Sequence, residues 1–249
     1  MGLGETLKGI AATARISAST VAEAALGRSP DMKVYDDRLS WWAHKVLSDA
    51  DVDLRVSGSE HAGDGTEPLI VMSNHQSLYD IPVIYCSVPG RVRMVAKKEL
   101  FAVPLWGRAM RIAGMICLDR SDRGQAIQSL REGSSMLRDG TRVWIAPEGT
   151  RSETGDLGAF KSGGFRMALD TGYRILPVAI NGTRHVLPAR TAVVKCGKHV
   201  DVAILPPIDP KAFGVDRRKD LMREVRRAIA TALGQPVGDD DAAPRLSDP

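Results

Sequence analysis

The stretch NHQSLYD at residues 74–80 combines a histidine with a carboxylate five positions later. It directly follows the apolar run LIVM at 69–72, which is typical of a buried strand. In a tight turn, Asp80 can accept a hydrogen bond from one ring nitrogen of His75 and leave the other nitrogen to act as a base. The stretch alone equally allows a structural role, in which Asp80 caps a following helix and His75 is a hydrogen-bonded loop residue.

A second apolar strand pattern ends in the same way, in WIAPEGTRS at 144–152. Gly149 allows close approach of the backbone to a ligand, and the guanidinium of Arg151 can bind an oxyanion through two hydrogen bonds. A third pattern is followed by Asp119 and Arg120. Three strands that each end in polar or charged residues predict one ligand crevice at the carboxyl edge of a sheet.

Strand and helix patterns alternate along most of the chain. The predicted strands are 52–56, 68–72, 92–96, 114–118, 142–146, 174–180 and 200–205. The predicted helices between them are 80–87, 99–112, 122–138, 161–171 and 216–233. This alternation predicts an α/β fold with a mostly parallel central sheet covered by helices. The continuous apolar runs at 69–72 and 176–180 fit the centre of that sheet.

Two helical patterns precede the sheet. The first, over residues 3–26, places on one face Leu3, Leu7, Ile10, Ala14, Val21 and Ala25. The second, over about 36–50, places on one side Leu39, Trp42, Ala43, Val46 and Leu47. The pair could be a helical hairpin packed on the body, or could lie in a membrane interface, where the indoles of Trp41 and Trp42 are favoured.

Three segments follow from these patterns. We predict amphipathic helices at 1–50, a single α/β domain at 51–235 and an acidic, disordered tail at 236–249. No run of about 18 apolar residues and no secretory leader is apparent, so we expect neither a bilayer span nor a signal peptide.

The composition is that of an ordinary globular chain, 43% hydrophobic and 26% charged, with a formal net charge of +4. A mildly basic body suits anionic partners such as phosphorylated substrates or lipid headgroups. Nucleic acid is disfavoured, because no aromatic stacking platform is apparent. Three widely spaced cysteines predict buried thiols in a reducing compartment, namely Cys86, Cys117 and Cys196.

Four blocks, in order, resemble those of the glycerophosphate acyltransferases, in particular the bacterial 1-acylglycerol-3-phosphate acyltransferases. They are NHQSLYD (the family's NHxSxxD), GMICLDR, APEGTRS and ILPVAING. The connecting segments at 95–107 and 160–168 also look like those of the family, and the resemblance runs from about residue 40 to 210. Cys117 and Ala146 stand where the family usually has aromatic residues, which bears on acyl or acceptor preference more than on chemistry.

The resemblance implies a mechanism. His75, oriented by Asp80, removes the proton from an acceptor hydroxyl, which then attacks the thioester of acyl-CoA or acyl carrier protein. Neither a cofactor nor a metal is implied. The residues that the resemblance assigns to the acceptor site are Lys97, Arg120, Glu148, Gly149, Thr150 and Arg151. Glu148 could orient the acceptor's hydroxyls or brace an arginine.

Structural alternatives accompany several of these residues. Lys97 and Lys98 could be a solvated charge pair, and Asp119 could form a surface ion pair with Arg120. Ser77 lacks the GxSxG elbow of a nucleophilic serine, so we interpret it as a turn hydroxyl. Two further residues have expected structural roles: Asn74 shapes the turn, and Pro177 restricts its strand.

The implied product is phosphatidic acid, made from 1-acyl-sn-glycerol-3-phosphate by a cytoplasmic enzyme that is peripheral on the inner face of the cell membrane. The nearest alternative keeps the chemistry and changes the acceptor to a lyso-ornithine lipid, another lysophospholipid, glycerol phosphate or a glycolipid. A thioester hydrolase would instead use His75 and Asp80 to activate water. A non-catalytic lipid-binding protein would have no use for that pair.

Overall fold

The computed structural model of the protein describes residues 2–28, 31–119 and 123–237. Its strands are β1 (Asp53–Ser57), β2 (Ile70–Ser73), β3 (Val92–Lys97), β4 (Ile116–Leu118), β5 (Arg142–Ile145), β6 (Ile175–Asn181) and β7 (His199–Ile204). They form one sheet in the order β1-β7-β6-β2-β5-β3-β4. Neighbouring strands are parallel except β6 and β7. The predicted α/β fold is therefore confirmed.

The described helices are α1 (Leu3–Ala25), α2 (Met32–Asp49), α3 (Asp80–Ser87), α4 (Lys98–Phe101), α5 (Trp106–Ile112), α6 (Arg123–Arg138), α7 (Gly163–Thr171), α8 (Thr183–Val186) and α9 (Arg218–Ala232). The prediction of one helix over 99–112 was wrong, since α4 and α5 are separate. Pro104 disfavours helical backbone at the preceding residue, and Leu105 adopts a positive φ of 63°.

β2 lies at the middle of the sheet, and all four of its residues are buried. Its side chains alternate between two apolar clusters. Val71 packs with buried residues of α1, α2, α3 and α5 on one face, whereas Ile70 and Met72 pack with those of α6, α7 and α9 on the other. Because β2, β3, β5 and β6 are parallel, the polar turns that follow them open on the same edge of the sheet.

α1 packs on α2 and α5, but not through the apolar face seen in the sequence. Its buried residues are the small or hydroxyl-bearing Ala12, Ser17 and Thr20. Leu3, Leu7 and Ile10 are 67%, 58% and 59% exposed. The first half of α1 therefore turns its apolar side outward. α2 does bury its predicted side, including Ala43, Val46 and Leu47.

The three cysteines are free but only half-buried, so the prediction of buried thiols was wrong; Cys86 is in the last turn of α3, Cys117 on the edge strand β4 and Cys196 in a loop. The predicted disordered tail lies outside the described residues from residue 238 onward. Among the described helices, none is both long and apolar enough to cross a bilayer.

Candidate active site

His75 lies two residues beyond the end of β2, at the carboxyl edge of the sheet. Its Nδ1 is 2.7 Å from Oδ2 of Asp80. Asp80 is fully buried, whereas 19% of the His75 side chain is exposed. When Nδ1–H donates to the carboxylate, Nε2 is the ring nitrogen that can take a proton. The hydrogen bond predicted between these two residues is thus present.

The Asp80 carboxylate is held by four donors. Besides His75, Oδ2 accepts from the backbone N–H groups of Gln76 and Ser77, at 2.7 and 2.9 Å. Oδ1 accepts from Oγ1 of Thr183 at 2.5 Å. Although Asp80 is the first residue of α3, its carboxylate turns back to the preceding loop, and it is not the N-cap of the helix. These bonds fix the carboxylate against which the imidazole is oriented.

Asn74 and Ser77 shape the loop around this pair. The Asn74 amide donates to the carbonyl of Ile180 and accepts from its N–H, both at 2.8 Å, and so ties the end of β2 to β6. The Ser77 hydroxyl donates to the Leu187 carbonyl at 2.8 Å and accepts from the N–H of Tyr79 at 3.1 Å. Ser77 is therefore the turn hydroxyl that the sequence predicts.

Glu148 has a role that the sequence did not suggest. It is buried, and its two oxygens accept from the backbone N–H groups of His75 and Gly158, at 2.7 and 2.8 Å. Burial raises the pKa of the Glu148 carboxyl, while the two backbone N–H groups oppose that rise. The carboxylate thus braces the backbone of His75 rather than an arginine, which was one of the two roles that the sequence allows.

The rest of the PEGTRS turn is also anchored to His75. Gly149 has a φ of 77°, which favours glycine, and the N–H of Ser152 donates to the His75 carbonyl at 2.7 Å. Between these two residues, Thr150 is exposed and Arg151 is half-buried. Arg151 therefore lies in a turn that is hydrogen-bonded to the backbone of His75 at two points. Glu148 accepts from the His75 N–H, and the N–H of Ser152 donates to the His75 carbonyl.

Of the cations predicted after β3 and β4, Lys97 and Lys98 are among the described residues and Arg120 is not. Lys97 ends β3 and is exposed on the same edge of the sheet. Lys98 forms an ion pair with Asp119 at 2.8 Å, so Lys97 and Lys98 differ in their surroundings. Asp119 thus has an ion-pair partner other than Arg120, the partner that the sequence suggests. Arg120 lies outside the described residues.

Sequence reasoning missed Thr183. It lies 103 residues beyond Asp80 in the chain, yet donates to that carboxylate. Thr183 begins α8, two residues after the end of β6. The available signal was the same one that singled out His75, namely a polar residue just past the carboxyl end of a central strand.

Helices on one face of the sheet enclose an apolar cleft, whose lining includes neither His75 nor Asp80. It has a volume of about 550 Å³, part of it open to solvent, and lies between α1, α2, α3 and α5. Its lining includes Ile16, Leu39, Trp42, Ile81, Trp106 and Met110. Ile81, the residue after Asp80, is the lining residue nearest in sequence to the pair. The lining of the cleft suits an alkyl chain.

Fold and site together define a class of protein. A family model described as Acyltransferase matches residues 53–181, just over half of the chain. The chain belongs to this acyltransferase family, and the resemblance carried by its sequence blocks is confirmed.

Individual relatives of this chain include 1-acyl-sn-glycerol-3-phosphate acyltransferases. The chain is 33% identical over 185 residues to a 1-acyl-sn-glycerol-3-phosphate acyltransferase of Saccharomyces cerevisiae, covering 73% of this chain and 60% of the relative. It is 31% identical over 180 residues to a chloroplast enzyme of the same name from Arabidopsis thaliana, covering 72% of this chain and 49% of the relative. The chain thus spans about half to three fifths of the length of these curated relatives.

One solved structure matches almost end to end. The 1-acyl-sn-glycerophosphate acyltransferase PlsC of Thermotoga maritima is 28% identical, with a TM-score of 0.75 over 94% of this chain and 97% of that one. The similarity therefore includes elements outside the segment that the family model matches.

Proposed function

We propose that this chain transfers a fatty acyl group from acyl-CoA or acyl carrier protein to the hydroxyl of a lysophospholipid, 1-acyl-sn-glycerol-3-phosphate, giving phosphatidic acid. The observation that carries the proposal is the buried Asp80 carboxylate 2.7 Å from Nδ1 of His75, an arrangement that supports Nε2 as the base. The names of the relatives support the choice of acceptor.

In this mechanism Nε2 of His75 takes the proton of the acceptor hydroxyl as its oxygen attacks the thioester carbonyl. The C–S bond then breaks, and the leaving thiolate receives the proton from the imidazolium. Asp80 holds the ring and stabilises its positive charge. A positioned base of this kind contributes roughly 100- to 10,000-fold. The apolar cleft would take an alkyl chain of one of the two substrates.

The acceptor's phosphate would be held by the cationic side of the same edge. Arg151 offers two parallel N–H groups, the geometry that suits a phosphate, and Lys97 adds a second charge. The resemblance assigns Arg120, Gly149 and Thr150 to the same site. Glu148 contributes indirectly, since both of its oxygens bond backbone N–H groups.

The test of the function is a transfer assay with labelled acyl-CoA and a panel of acceptors. We expect the fastest transfer to 1-acyl-sn-glycerol-3-phosphate, compared with lyso-ornithine lipid, another lysophospholipid, glycerol phosphate and a glycolipid. Preference for one of the others would reassign the acceptor. Thioester turnover at the same rate without any acceptor would indicate a hydrolase, and lack of turnover under all conditions would indicate a non-catalytic protein.

We also propose that α1 binds the cytoplasmic surface of the cell membrane. Its exposed Leu3, Leu7 and Ile10 form an apolar stripe, and the guanidinium of Arg15 lies 4.7 Å from the exposed Trp41 ring. Indoles and cations are both favoured at the headgroup level.

Serine at Leu3, Leu7 and Ile10 together is expected to weaken cosedimentation with anionic liposomes by at least tenfold. Burying each of these side chains in lipid contributes about 1.5 kcal/mol or more, and their exposure means that the fold does not depend on them. The matched control carries serine at Ala11, Ala18 and Ala22, which are also exposed on α1 but offer much less apolar area to lipid. Equal binding by the two triple variants would refute membrane contact through this stripe.

A further inference from the structure

The loop that carries Glu148 and Arg151 is hydrogen-bonded to Gln235, which lies near the C-terminal end of the described residues. We call residues 148–158 the site loop. Oε1 of Gln235 accepts from the N–H of Leu157 at 2.8 Å, and Nε2 of Gln235 donates to the carbonyl of Gly155 at 2.9 Å. One side-chain amide thus bonds two backbone groups of the site loop, using its donor and its acceptor together.

The same part of the site loop is fixed by other contacts. The Gly155 carbonyl also accepts from Nε2 of Gln76, at 3.4 Å, and Gln76 is buried next to His75. Gly155 has a φ of 96°, and a Cβ there would lie 2.8 Å from Cζ of Arg184. The loop is therefore closely packed at the point where Gln235 binds it.

Hydrogen bonds continue from this point to His75. The N–H of Gly155 donates to Oγ of Ser152 at 3.0 Å, and the N–H of Ser152 donates to the His75 carbonyl at 2.7 Å. Gly158, next to Leu157, donates to Glu148, which accepts in turn from the His75 N–H. Both routes from Gln235 end at the backbone of His75, and Arg151 lies between their anchor points.

Gln235 is itself placed by a rigid element. Its N–H donates to the Ala230 carbonyl at 2.9 Å, after Gly234 ends the helical stretch with a φ of 66°. α9 is seated on the sheet by its buried residues Leu221, Val225 and Ile229. Gln235 lies well beyond residue 181, where the match to the family model ends.

We propose that Gln235 is a positioning residue of the acyltransferase site. By bridging Gly155 and Leu157 it holds the site loop where Arg151 and Glu148 act together with His75. The proposal rests on the proposed function, in which Arg151 binds the phosphate of the acceptor. Loss of the bridge therefore weakens binding of the acceptor more than binding of the thioester donor.

The test compares Gln235→Met, which keeps the length of the side chain but loses both hydrogen bonds, with Thr231→Ala, a change at an exposed position in the last turn of α9. We expect Gln235→Met to raise KM for 1-acyl-sn-glycerol-3-phosphate by about tenfold, as for the loss of one or two hydrogen bonds. KM for acyl-CoA should stay within twofold of wild type. Thr231→Ala should leave both values unchanged.

Amide hydrogen exchange gives a second readout that does not depend on activity. Gln235→Met should increase exchange in peptides covering 152–158 and leave β7 unchanged. The proposal is overturned if exchange in the site loop stays at the wild-type level, or if both KM values rise together. A purified wild-type protein with no transfer activity would refute the proposed function instead, and the exchange result alone would then decide whether Gln235 holds the loop.

Discussion

The His75→Ala variant is expected to lose acyl transfer by roughly 100- to 10,000-fold in kcat, because it removes the base that we propose for the acceptor hydroxyl. The fold should persist. Alanine keeps the backbone N–H and carbonyl that bond Glu148 and Ser152, and Asp80 retains its three other donors. Transfer of a labelled acyl group from acyl-CoA to 1-acyl-sn-glycerol-3-phosphate measures the loss, and thermal unfolding checks the fold.

His185→Ala is a suitable control for this variant. His185 is exposed on α8, which follows β6 at the same edge of the sheet, and the proposed mechanism does not use it. Its kcat should stay near that of the wild type. Full activity of His75→Ala would exclude His75 as the base.

Asp80→Asn is expected to lower kcat by a similar factor, roughly 100-fold or more, while the protein remains folded. The asparagine oxygen can take the place of Oδ2 and accept from Gln76 and Ser77, and its NH₂ can donate to the hydroxyl of Thr183. What disappears is the negative charge that, in the proposed mechanism, stabilises the imidazolium of His75. The same transfer assay and the unfolding midpoint test this expectation.

Asp80→Ala separates the charge from the structural role of the same residue. It leaves the buried N–H groups of Gln76 and Ser77 without their acceptor, each at a cost of about 1–3 kcal/mol in unfolding free energy. We therefore expect Asp80→Ala to be much less stable than Asp80→Asn, although both have lost activity. An Asp80→Asn enzyme with wild-type kcat would show that the charge plays no part in the reaction.

The parts of this structure that local spacing determines were predicted from the sequence. Seven strands and the order of polar turns follow from apolar runs and the residues after them, and His75 and Asp80 are close enough in the chain for a single turn to join them. Pro104 also marked a break that a helical period alone does not show. The apolar spacing continues across Pro104, so periodicity by itself predicts a single helix there.

The remaining parts depend on contacts between distant segments. Thr183 and Glu148 bond residues 103 and 73 positions away, and no local pattern specifies which donor meets which carboxylate. α1 illustrates a second limit. Its periodicity predicted a helix correctly, but the helix packs by its hydroxyl-bearing side and leaves Leu3 and Leu7 exposed, a choice that depends on the surface it meets.

The amide of Asn74 explains how the chain can leave the sheet just before His75. β2 ends at Ser73, while its neighbour β6 continues to Asn181. Ile180 is fully buried, and its backbone groups would face a gap where β2 has ended, but the Asn74 side chain fills that gap with one donor and one acceptor. The main chain can therefore leave the sheet after Ser73 while the backbone groups of Ile180 remain hydrogen-bonded. His75 therefore directly follows a residue whose side chain joins the end of the shorter strand, β2, to the longer strand, β6.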